Sequence, residues 1–522
     1  MESNKTLRLP EKRGKGIAVA AALTLFAVVA LFFFFNILRC DADMPVVPTA
    51  IAYLSVACLA MGALFCGKRM ILDSGAEPEK VFTLFMIVAG ALCMTVFLPF
   101  TVPDEPSHYL SAYRISNYLT LNFDQFGEER LLIRKADYEL IASLRSTQLS
   151  PEYYAEIAKG FDIFSSGSGA SFIPAEFTGD APFGYIASAF GIALGRMLHF
   201  GAVPTFYLGR IANLAVYILA VRFAIKRAPY GKTAFFAIAT LPMAIHLVGS
   251  YSYDSSIIAL ALLFVSQVLY IREKPEKASV WDIILCAIWA ALLAPSKLVY
   301  FPLLFLVFLI PSEKLPFKKS AAMLIKSGVV ALGAAALLLM QGGSLFAAFG
   351  DAKCAWTDGR LYSLADVFAH PLNTLRVLLQ TVAAKTDFYL ASMTASYTGW
   401  HQLVLPVFVW APTLALLFAS FLPAADEPRG SLTGRSRASA LAIWIVSAAA
   451  IIAAMLLTWT PVGSSVVEGV QGRYFIPLLP LLFVAMRGKR LTLPENGGRY
   501  IICACVYVGL LMPFVYFGMV FS

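Results

Sequence analysis

The sequence predicts an all-α polytopic membrane protein with about 13 transmembrane helices. Three observations lead to this prediction. Apolar residues make up 59% of the 522-residue chain, the mean hydropathy is +0.73, and the Lys and Arg residues fall mostly in short clusters between long apolar runs. Charged residues make up only 14%, against about 25% in soluble domains. The composition therefore excludes a water-soluble enzyme and a disordered protein, and the charge pattern is typical of membrane topology rather than of nucleic-acid binding.

The first apolar run, residues 17–38, follows five basic residues and resembles a signal peptide. As an α-helix it would reach about 33 Å, enough to cross a hydrocarbon core of about 30 Å. A signal-peptide core is shorter, and no small-residue cleavage pattern follows this run. The run therefore predicts a transmembrane helix.

Further runs predict the other transmembrane helices, and the positions of the basic residues predict their orientation. In chain order the runs cover residues 46–66, 81–100, 204–224, 233–250, 255–271, 280–294, 298–310, 321–340, 403–422, 438–459, 474–486 and 500–521. With a cytoplasmic N-terminus, the cytoplasmic segments hold 24 of the 41 Lys and Arg residues, whereas the short external segments hold only Arg39, Lys297 and Arg473. Basic residues favour the cytoplasmic side.

The run from Phe183 to Phe200 is predicted to be an interfacial helix and not a further span. Counting it as a span would invert every later segment and place 16 basic residues outside, against the usual charge bias. Two long external segments follow from this reading, 101–203 and 341–402. Loops of such length are usually functional or disordered, and the many aromatic residues of the first one favour an ordered structure. Leucines at helical spacing, Leu372, Leu375, Leu378 and Leu379, predict an interfacial helix in the second one.

Two adjacent carboxylates, Asp104 and Glu105, follow the third predicted span in the segment "FLPFTVPDEPSHYL". Asp104 is a suitable N-cap for a helix that begins near Pro106, and capping alone would explain one of the carboxylates. In such a helix His108 shares a face with both carboxylates. This set of side chains suits a general base acting on a hydroxyl, or a divalent metal site formed by Asp104, Glu105 and His108.

Asp254 lies in a short turn between two predicted spans, at the same external face as Asp104. It can act as a helix cap or take part in a shared site, since charged groups close to the membrane are often functional.

Lys297 and Arg473 lie at the external face, where the chain otherwise has few basic residues in its short segments. They can extend toward lipid phosphates, or they can bind the phosphate of a ligand that arrives within the membrane. The strong sorting of charge favours phosphate binding. Arg210, within the fourth predicted span, can turn toward the same site or toward the interface, and Trp400 can stack on a sugar or belong to an aromatic belt.

Common nucleotide-binding and hydrolase motifs are absent from the sequence. It contains no Walker loop, dinucleotide fingerprint, HExxH motif or nucleophile elbow. Because the polar residues are predicted to face a compartment without nucleotide sugars, a synthetic reaction there needs a donor delivered in the membrane. A sugar carried on polyprenyl phosphate is such a donor.

Six segments resemble, in order, those of the bacterial membrane family known as domain of unknown function 2142, which is grouped with the GT-C superfamily of polytopic glycosyltransferases. They are "PDEPSHYLSAYRIS", "YLGRIANL", "LPMAIHLVGSYSYDS", "SKLVYFPLLFLVFLIP", "GWHQLVLP" and "GVQGRYFIPLLPLL". The resemblance extends over about residues 80 to 490, and "PDEPSH" and "QGRYF" are its most specific motifs. It implies a GT-C-like core at 81–490, preceded at 1–80 by a cytoplasmic tail and two added spans and followed at 491–522 by a last transmembrane helix.

The resemblance also implies roles for the candidate residues. Asp104 is expected to be the catalytic base with Glu105 beside it, and Lys297 and Arg473 are expected to bind the donor phosphate. No cofactor is certain, because some superfamily members hold a divalent metal ion through the acidic motif and others do not.

The sequence as a whole therefore predicts a GT-C type glycosyltransferase of the bacterial inner membrane, with a cytoplasmic N-terminus and an extracytoplasmic site. It is expected to transfer a sugar, with inversion, from a polyprenyl-phosphate donor to a cell-envelope glycan or lipid, among membrane lipids and without nucleic acid. A transporter or flippase of a lipid-linked saccharide and a non-catalytic scaffold remain as alternatives. Inverted repeats and polar residues at the membrane midplane would favour transport, whereas the polar residues here are predicted to cluster at one face.

Overall fold

The computed structural model describes residues 68–122, 130–144, 149–165, 171–176, 183–347, 353–354, 356–399, 402–428, 430–488 and 491–521, with residues 54, 58, 61, 62 and 65. The predicted span at 17–38 and most of the one at 46–66 lie outside the described residues, as does Trp400.

Helices dominate the described part of the chain. Up to residue 293 they are α1 (Pro78–Val96), α2 (Glu105–Leu119), α3 (Lys135–Leu144), α4 (Pro151–Lys159), α5 (Ile186–Met197), α6 (Ala202–Arg227), α7 (Lys232–Ala239), α8 (Pro242–Val248), α9 (Asp254–Glu273) and α10 (Val280–Leu293). The later helices are α11 (Lys319–Ala347), α12 (Leu364–Ala369), α13 (Pro371–Met393), α14 (Val407–Ser420), α15 (Gly434–Thr458), α16 (Leu479–Met486) and α17 (Gly497–Phe521).

Shorter elements connect these helices. There are 3₁₀ helices at Phe183–Tyr185, Ala294–Ser296, Leu298–Leu309, Ser312–Lys314 and Gly472–Leu478, and a π-helical turn at Arg69–Asp73. Strand β1 (Arg130–Arg134) pairs antiparallel with β2 (Phe172–Glu176), with Leu132 opposite Pro174. Strand β3 (Tyr397–Thr398) pairs antiparallel with β4 (Leu403–Val404). Both sheets are small additions to a helical protein.

Six described helices are long and apolar enough to cross a membrane, which confirms a multi-pass helical membrane protein. They are α1, α6, α9, Lys319–Gln341 of α11, α15 and Gly497–Val520 of α17. Helix α9 is the most buried of them, with 83% of its most apolar window buried, whereas α11 and α15 have 22% and 28%. Helix α9 therefore lies inside the bundle, and α11 and α15 present most of their surface outward.

Several predicted spans differ in form from the continuous α-helices that apolar runs suggest. The run at 233–250 is two short helices, α7 and α8, because Pro242 begins the second one and cannot donate a backbone hydrogen bond. The run at 298–310 is a 3₁₀ helix that contains Pro302. The run at 474–486 begins as a 3₁₀ helix and continues as α16. A count of 13 spans therefore stays a prediction.

The two predicted external segments contain ordered elements. Helix α5 has 12 residues, or about 18 Å of helix, and its predicted interfacial position stays a prediction. Helix α11 continues to Ala347, so the beginning of the segment predicted at 341–402 is helical. Helix α13 contains Leu372, Leu375, Leu378 and Leu379, and its position relative to a membrane stays a prediction.

Candidate functional site

A cavity of about 530 Å³ brings together five of the residues singled out from the sequence. Its walls include Asp104 and His108 from the start of α2 and Asp254 from the start of α9. They also include Lys297, which precedes the 3₁₀ helix Leu298–Leu309, and Arg473, the second residue of the 3₁₀ helix Gly472–Leu478. Asp104 and Arg473, the first and last of these residues in the chain, are 369 positions apart. The fold therefore collects two carboxylates, two cations and one imidazole around one space.

Ion pairs connect the carboxylates with the cations. Lys297 Nζ donates to Asp254 Oδ1 at 2.8 Å, and Arg473 Nε lies 3.4 Å from Asp254 Oδ2. Arg473 Nη2 lies 3.7 Å from Asp104 Oδ2. Arg473 thus stands between the two carboxylates, while the Asp104 side chain remains 60% exposed and the Asp254 side chain is only 7% exposed.

Asp104 occupies the N-cap position of α2, but its side chain does not cap the helix. Its side chain makes no capping hydrogen bond, and its backbone has φ 62° and ψ 4° in the left-handed region. This conformation is uncommon for a residue other than Gly, and such residues often occur at functional sites. The predicted N-cap position of Asp104 is therefore confirmed, but side-chain capping is not, and its exposed carboxylate is available to a bound molecule.

Glu105 and Arg210 form a buried ion pair beside the cavity and do not line it. Both side chains are 0% exposed. Arg210 Nη2 and Nε donate to Glu105 Oε2 at 2.6 Å and Oε1 at 2.9 Å, and the backbone N–H groups of Phe100 and Tyr251 also donate to this carboxylate. The predicted roles of Glu105 in catalysis and of Arg210 in phosphate binding are corrected to a structural role, because their charged groups are occupied with each other.

The Glu105–Arg210 pair fixes the segment that carries Asp104. Arg210 donates to the carbonyl oxygens of Phe97 and Leu98. Two tyrosines of α4 hold the same segment, since Tyr153 Oη donates to Pro99 O at 2.6 Å and Tyr154 Oη donates to Val96 O at 2.7 Å. Hydrogen bonds from α4 and α6 thus fix the chain between the end of α1 and Asp104.

His108 is a neutral imidazole at the cavity wall. Its Nδ1 lies 2.7 Å from Tyr185 Oη in a hydrogen bond whose direction depends on the tautomer. Burial, and next the Arg473 guanidinium, lower the pKa of His108 from 6.5 to about 4, although Asp254 and Asp104 act in the opposite direction. His108 is therefore uncharged at neutral pH and lines the cavity as a polar side chain.

Lys297 lies between two aromatic rings. Its Nζ is 4.7 Å from the centre of the Tyr253 ring and 4.5 Å from the centre of the Tyr474 ring, a geometry that favours a cation. Burial opposes the charge, but Asp254 raises the pKa of Lys297 well above its usual value. Lys297 is therefore a fixed positive charge with 24% of its side chain exposed.

A glycine places Arg473 close to α13. A Cβ at Gly472 would lie 2.0 Å from Tyr389 O and 2.3 Å from Met393 N, and Gly472 N donates to Ser392 Oγ at 2.9 Å. Only Gly permits this approach.

The Nε of Arg473 is buried and makes no hydrogen bond within the described residues. It faces Asp254 Oδ2 at 3.4 Å in the ion pair, so the guanidinium is held by charge and without a well-formed hydrogen bond at this atom.

A metal site formed by Asp104, Glu105 and His108 does not fit this arrangement. Glu105 is occupied by Arg210, and Arg473 lies between the two carboxylates of the cavity. Within the described ranges no group of three or more His, Cys, Asp or Glu side chains is placed to hold a metal ion. The predicted triad is therefore not assembled.

Five lining residues were not singled out from the sequence: Ser107, Ser111, Tyr185, Tyr253 and Tyr474. Tyr253 and Tyr474 are next to Asp254 and Arg473 in the chain, so the charged residues already indicated these two parts of the sequence. Tyr185 belongs to the apolar run 183–200, where no pattern distinguishes it from other interfacial aromatics. Trp400 lies outside the described residues, so its predicted sugar contact stays a prediction.

Comparison with known proteins gives a family. The model of the family described as predicted membrane protein (DUF2142) matches residues 87–482, close to the range of about 80 to 490 that the sequence motifs indicate. No curated protein and no solved structure matches the sequence.

Proposed function

The chain belongs to the family described as predicted membrane protein (DUF2142), and we propose that it is an inverting GT-C type glycosyltransferase of the bacterial inner membrane. Its donor is a sugar on polyprenyl phosphate, and its acceptor is an extracytoplasmic glycan or lipid of the cell envelope. The single observation that carries the proposal is the shared cavity of Asp104, Asp254, Lys297 and Arg473. The residues of this cavity carry the chemistry, since a fold likeness alone does not determine activity.

In the proposed reaction Asp104 is the general base. Its exposed carboxylate accepts the proton of the acceptor hydroxyl while the hydroxyl oxygen forms a bond to the anomeric carbon. The bond between the anomeric carbon and the phosphate oxygen breaks at the same time, and its electron pair leaves with the polyprenyl phosphate. Attack from the side opposite the leaving group inverts the anomeric configuration.

Lys297 and Arg473 stabilise the leaving phosphate. Both are cations held next to the cavity by Asp254, and both line it. Fixed charges that face developing negative charge in a site of low polarity contribute strongly to rate. Asp254 acts through these two cations as a positioning residue, and Tyr253 and Tyr474 hold the Lys297 ammonium between their rings.

Transport of a lipid-linked saccharide is the second candidate. The observation in its favour is the set of interrupted apolar segments, such as α7 and α8 on either side of Thr240 and Leu241, because transporters use discontinuous helices. Polar residues of transport sites gather at the membrane midplane, however, whereas the cavity here lies at the starts of α2 and α9. We therefore favour transfer over transport.

The test is an assay of purified full-length protein with radiolabelled polyprenyl-phosphate sugars and cell-envelope acceptors. We expect a labelled acceptor. Movement of intact donor across a vesicle membrane without product would support the transporter, and absence of both activities would support a scaffold.

Donor affinity gives a second readout with a matched control. Lys297→Met should weaken donor binding about tenfold or more, since a charge-assisted phosphate contact is lost. Lys385→Met is the control, because Lys385 pairs with Glu468 at 3.8 Å and does not line the cavity. Equal effects of the two substitutions would remove Lys297 from the donor site.

A further inference from the structure

A second cavity, of about 770 Å³, lies where the segment between α14 and α15 meets the end of α16. Helix α9 connects the two cavities. Asp254 at its start lines the first cavity, and Glu273 at its end accepts hydrogen bonds from Ser431, which lines the second one. The 20 residues of α9 reach about 30 Å as a helix, the thickness of a hydrocarbon core. The two cavities therefore belong to opposite ends of the bundle.

The charged residues that line the second cavity are arginines. Arg437 comes from the first turns of α15 and Arg487 from the residue after α16. Among the described residues that line this cavity, none is Asp or Glu. The cavity therefore has the charge expected for binding an anion.

Arg487 is a buried arginine with unused donors. It is 4% exposed, and of its nitrogens only Nη2 is hydrogen-bonded, to Glu427 at 3.0 Å and to the Pro428 carbonyl at 2.9 Å. The guanidinium carbon also lies 4.6 Å from the centre of the Tyr230 ring. Its Nε and Nη1 are buried without hydrogen-bond partners in the described part of the chain. Arg437 is half-buried beside it, with its Nη1 3.5 Å from the Arg487 carbonyl.

The start of α15 adds to the positive potential. This helix has 25 residues and begins at Gly434, which lines the cavity, after the N-cap Thr433. The N-terminus of a helix carries a partial positive charge and favours phosphate. The buried Arg487 donors are an independent reason to expect a ligand at this place.

Apolar side chains complete the cavity wall, among them Leu422, Leu432 and Met486. The segment that forms the wall is fixed without a ligand. Gly430 has φ +70° and a Cβ there would lie 2.4 Å from the Tyr230 ring, and Glu273 accepts from both the backbone N–H and the hydroxyl of Ser431. A preformed space with arginines and apolar walls suits a phosphate group that is attached to acyl chains.

We propose that this second cavity binds the phosphate group of an anionic membrane lipid through Arg437 and Arg487. The site is separate from the transferase cavity, and the proposal does not depend on the transferase activity. A general excess of positive charge at this end of the bundle, which membrane topology alone would produce, is the competing explanation.

The test is native mass spectrometry of the full-length protein in detergent, titrated with phosphatidylglycerol. We expect Arg437→Gln to lower phosphatidylglycerol affinity about tenfold, because a charge-assisted hydrogen bond is lost. Arg435→Gln is the matched control, since Arg435 is exposed on the same helix turn and does not line the cavity. Arg437→Lys keeps the positive charge, so it should retain more of the phosphatidylglycerol affinity than Arg437→Gln. This comparison separates loss of binding from loss of folding.

The proposal requires an unchanged affinity in Arg435→Gln and tighter binding of phosphatidylglycerol than of phosphatidylcholine. Equal losses in Arg437→Gln and Arg435→Gln would show diffuse attraction and overturn the site. Displacement of the lipid by an equal concentration of inorganic phosphate would overturn its assignment to a lipid.

Discussion

At the scale of single residues, two adjacent carboxylates have opposite environments. Glu105 is enclosed by Arg210 and by backbone donors, whereas Asp104 is exposed beside Arg473. The sequence motif "PDEPSH" pointed to both, because spacing along the chain places their backbones together but does not determine which side chain faces the cavity. Only the tertiary contacts of α6 with this segment distinguish a structural carboxylate from a candidate base.

The buried pair gives a stability prediction. Arg210→Met should lower the free energy of unfolding by about 3–5 kcal/mol, because Glu105 would remain buried without its counter-ion. The measurement is the thermal unfolding midpoint of the protein in detergent. Lys80→Met is the control, since Lys80 and Glu77 form an exposed pair with 60% and 59% of the side chains accessible. A midpoint for Arg210→Met as high as that of the control would contradict the structural role.

His108 gives a pH prediction. Because the folded protein lowers the pKa of His108 from 6.5 to about 4, the unfolded chain binds a proton between these pH values that the folded chain does not. Stability should therefore fall as pH decreases through this range, by about 2 kcal/mol between pH 7 and pH 4.5 from this residue alone. His108→Phe should remove that part of the pH dependence of the unfolding midpoint. Identical pH dependence of the two proteins would rule out the buried neutral imidazole.

At the scale of elements, prolines explain where apolar runs fail to predict helices. Pro242, Pro302 and Pro477 interrupt the predicted spans at 233–250, 298–310 and 474–486. Hydropathy identified these runs as apolar, but it contains no information on backbone hydrogen bonds. The prolines were visible in the sequence, but their restricted backbone does not decide the outcome alone, because α14 and α17 continue through Pro412 and Pro513. The last of these segments positions Arg473, so the irregular backbone is part of the candidate site.

The contact between Gly472 and α13 can be tested with one methyl group. Gly472→Ala should lower the free energy of unfolding by about 1–3 kcal/mol, because the new Cβ overlaps the backbone of α13. It should also reduce sugar transfer, since Arg473 must move with its neighbour. The control is Gly328→Ala in α11, where nothing lies within 4 Å of the added atom. Transfer rates that are equal in the two variants would contradict the positioning of Arg473 by this contact.

At the scale of the whole molecule, polar cavities stand at both ends of a helical bundle. Composition and charge sorting predicted the membrane class and pointed to Asp104, Asp254, Lys297 and Arg473, because charges at unusual positions are visible in one sequence. The enclosing tyrosine Tyr185 and the second cavity were not predictable in this way, since they depend on how distant segments pack.

The orientation of the bundle can be tested with two cysteines in a cysteine-free background. Asp104→Cys and Arg435→Cys place thiols at exposed positions near the two cavities. The charge bias predicts that a membrane-impermeant maleimide labels position 104 in spheroplasts and labels position 435 only after lysis. Labelling of position 435 in intact spheroplasts would reverse the topology and place the candidate active site in the cytoplasm.

The most direct measurement of the central claim is the single-turnover rate of sugar transfer by Asp104→Asn, with donor affinity measured on the same protein. We expect a rate about 10²–10⁴-fold below that of the wild type, because the general base is lost. Donor affinity should not fall, since a negative charge near the donor phosphate is removed. A transfer rate close to that of the wild type would contradict catalysis by Asp104 in this cavity.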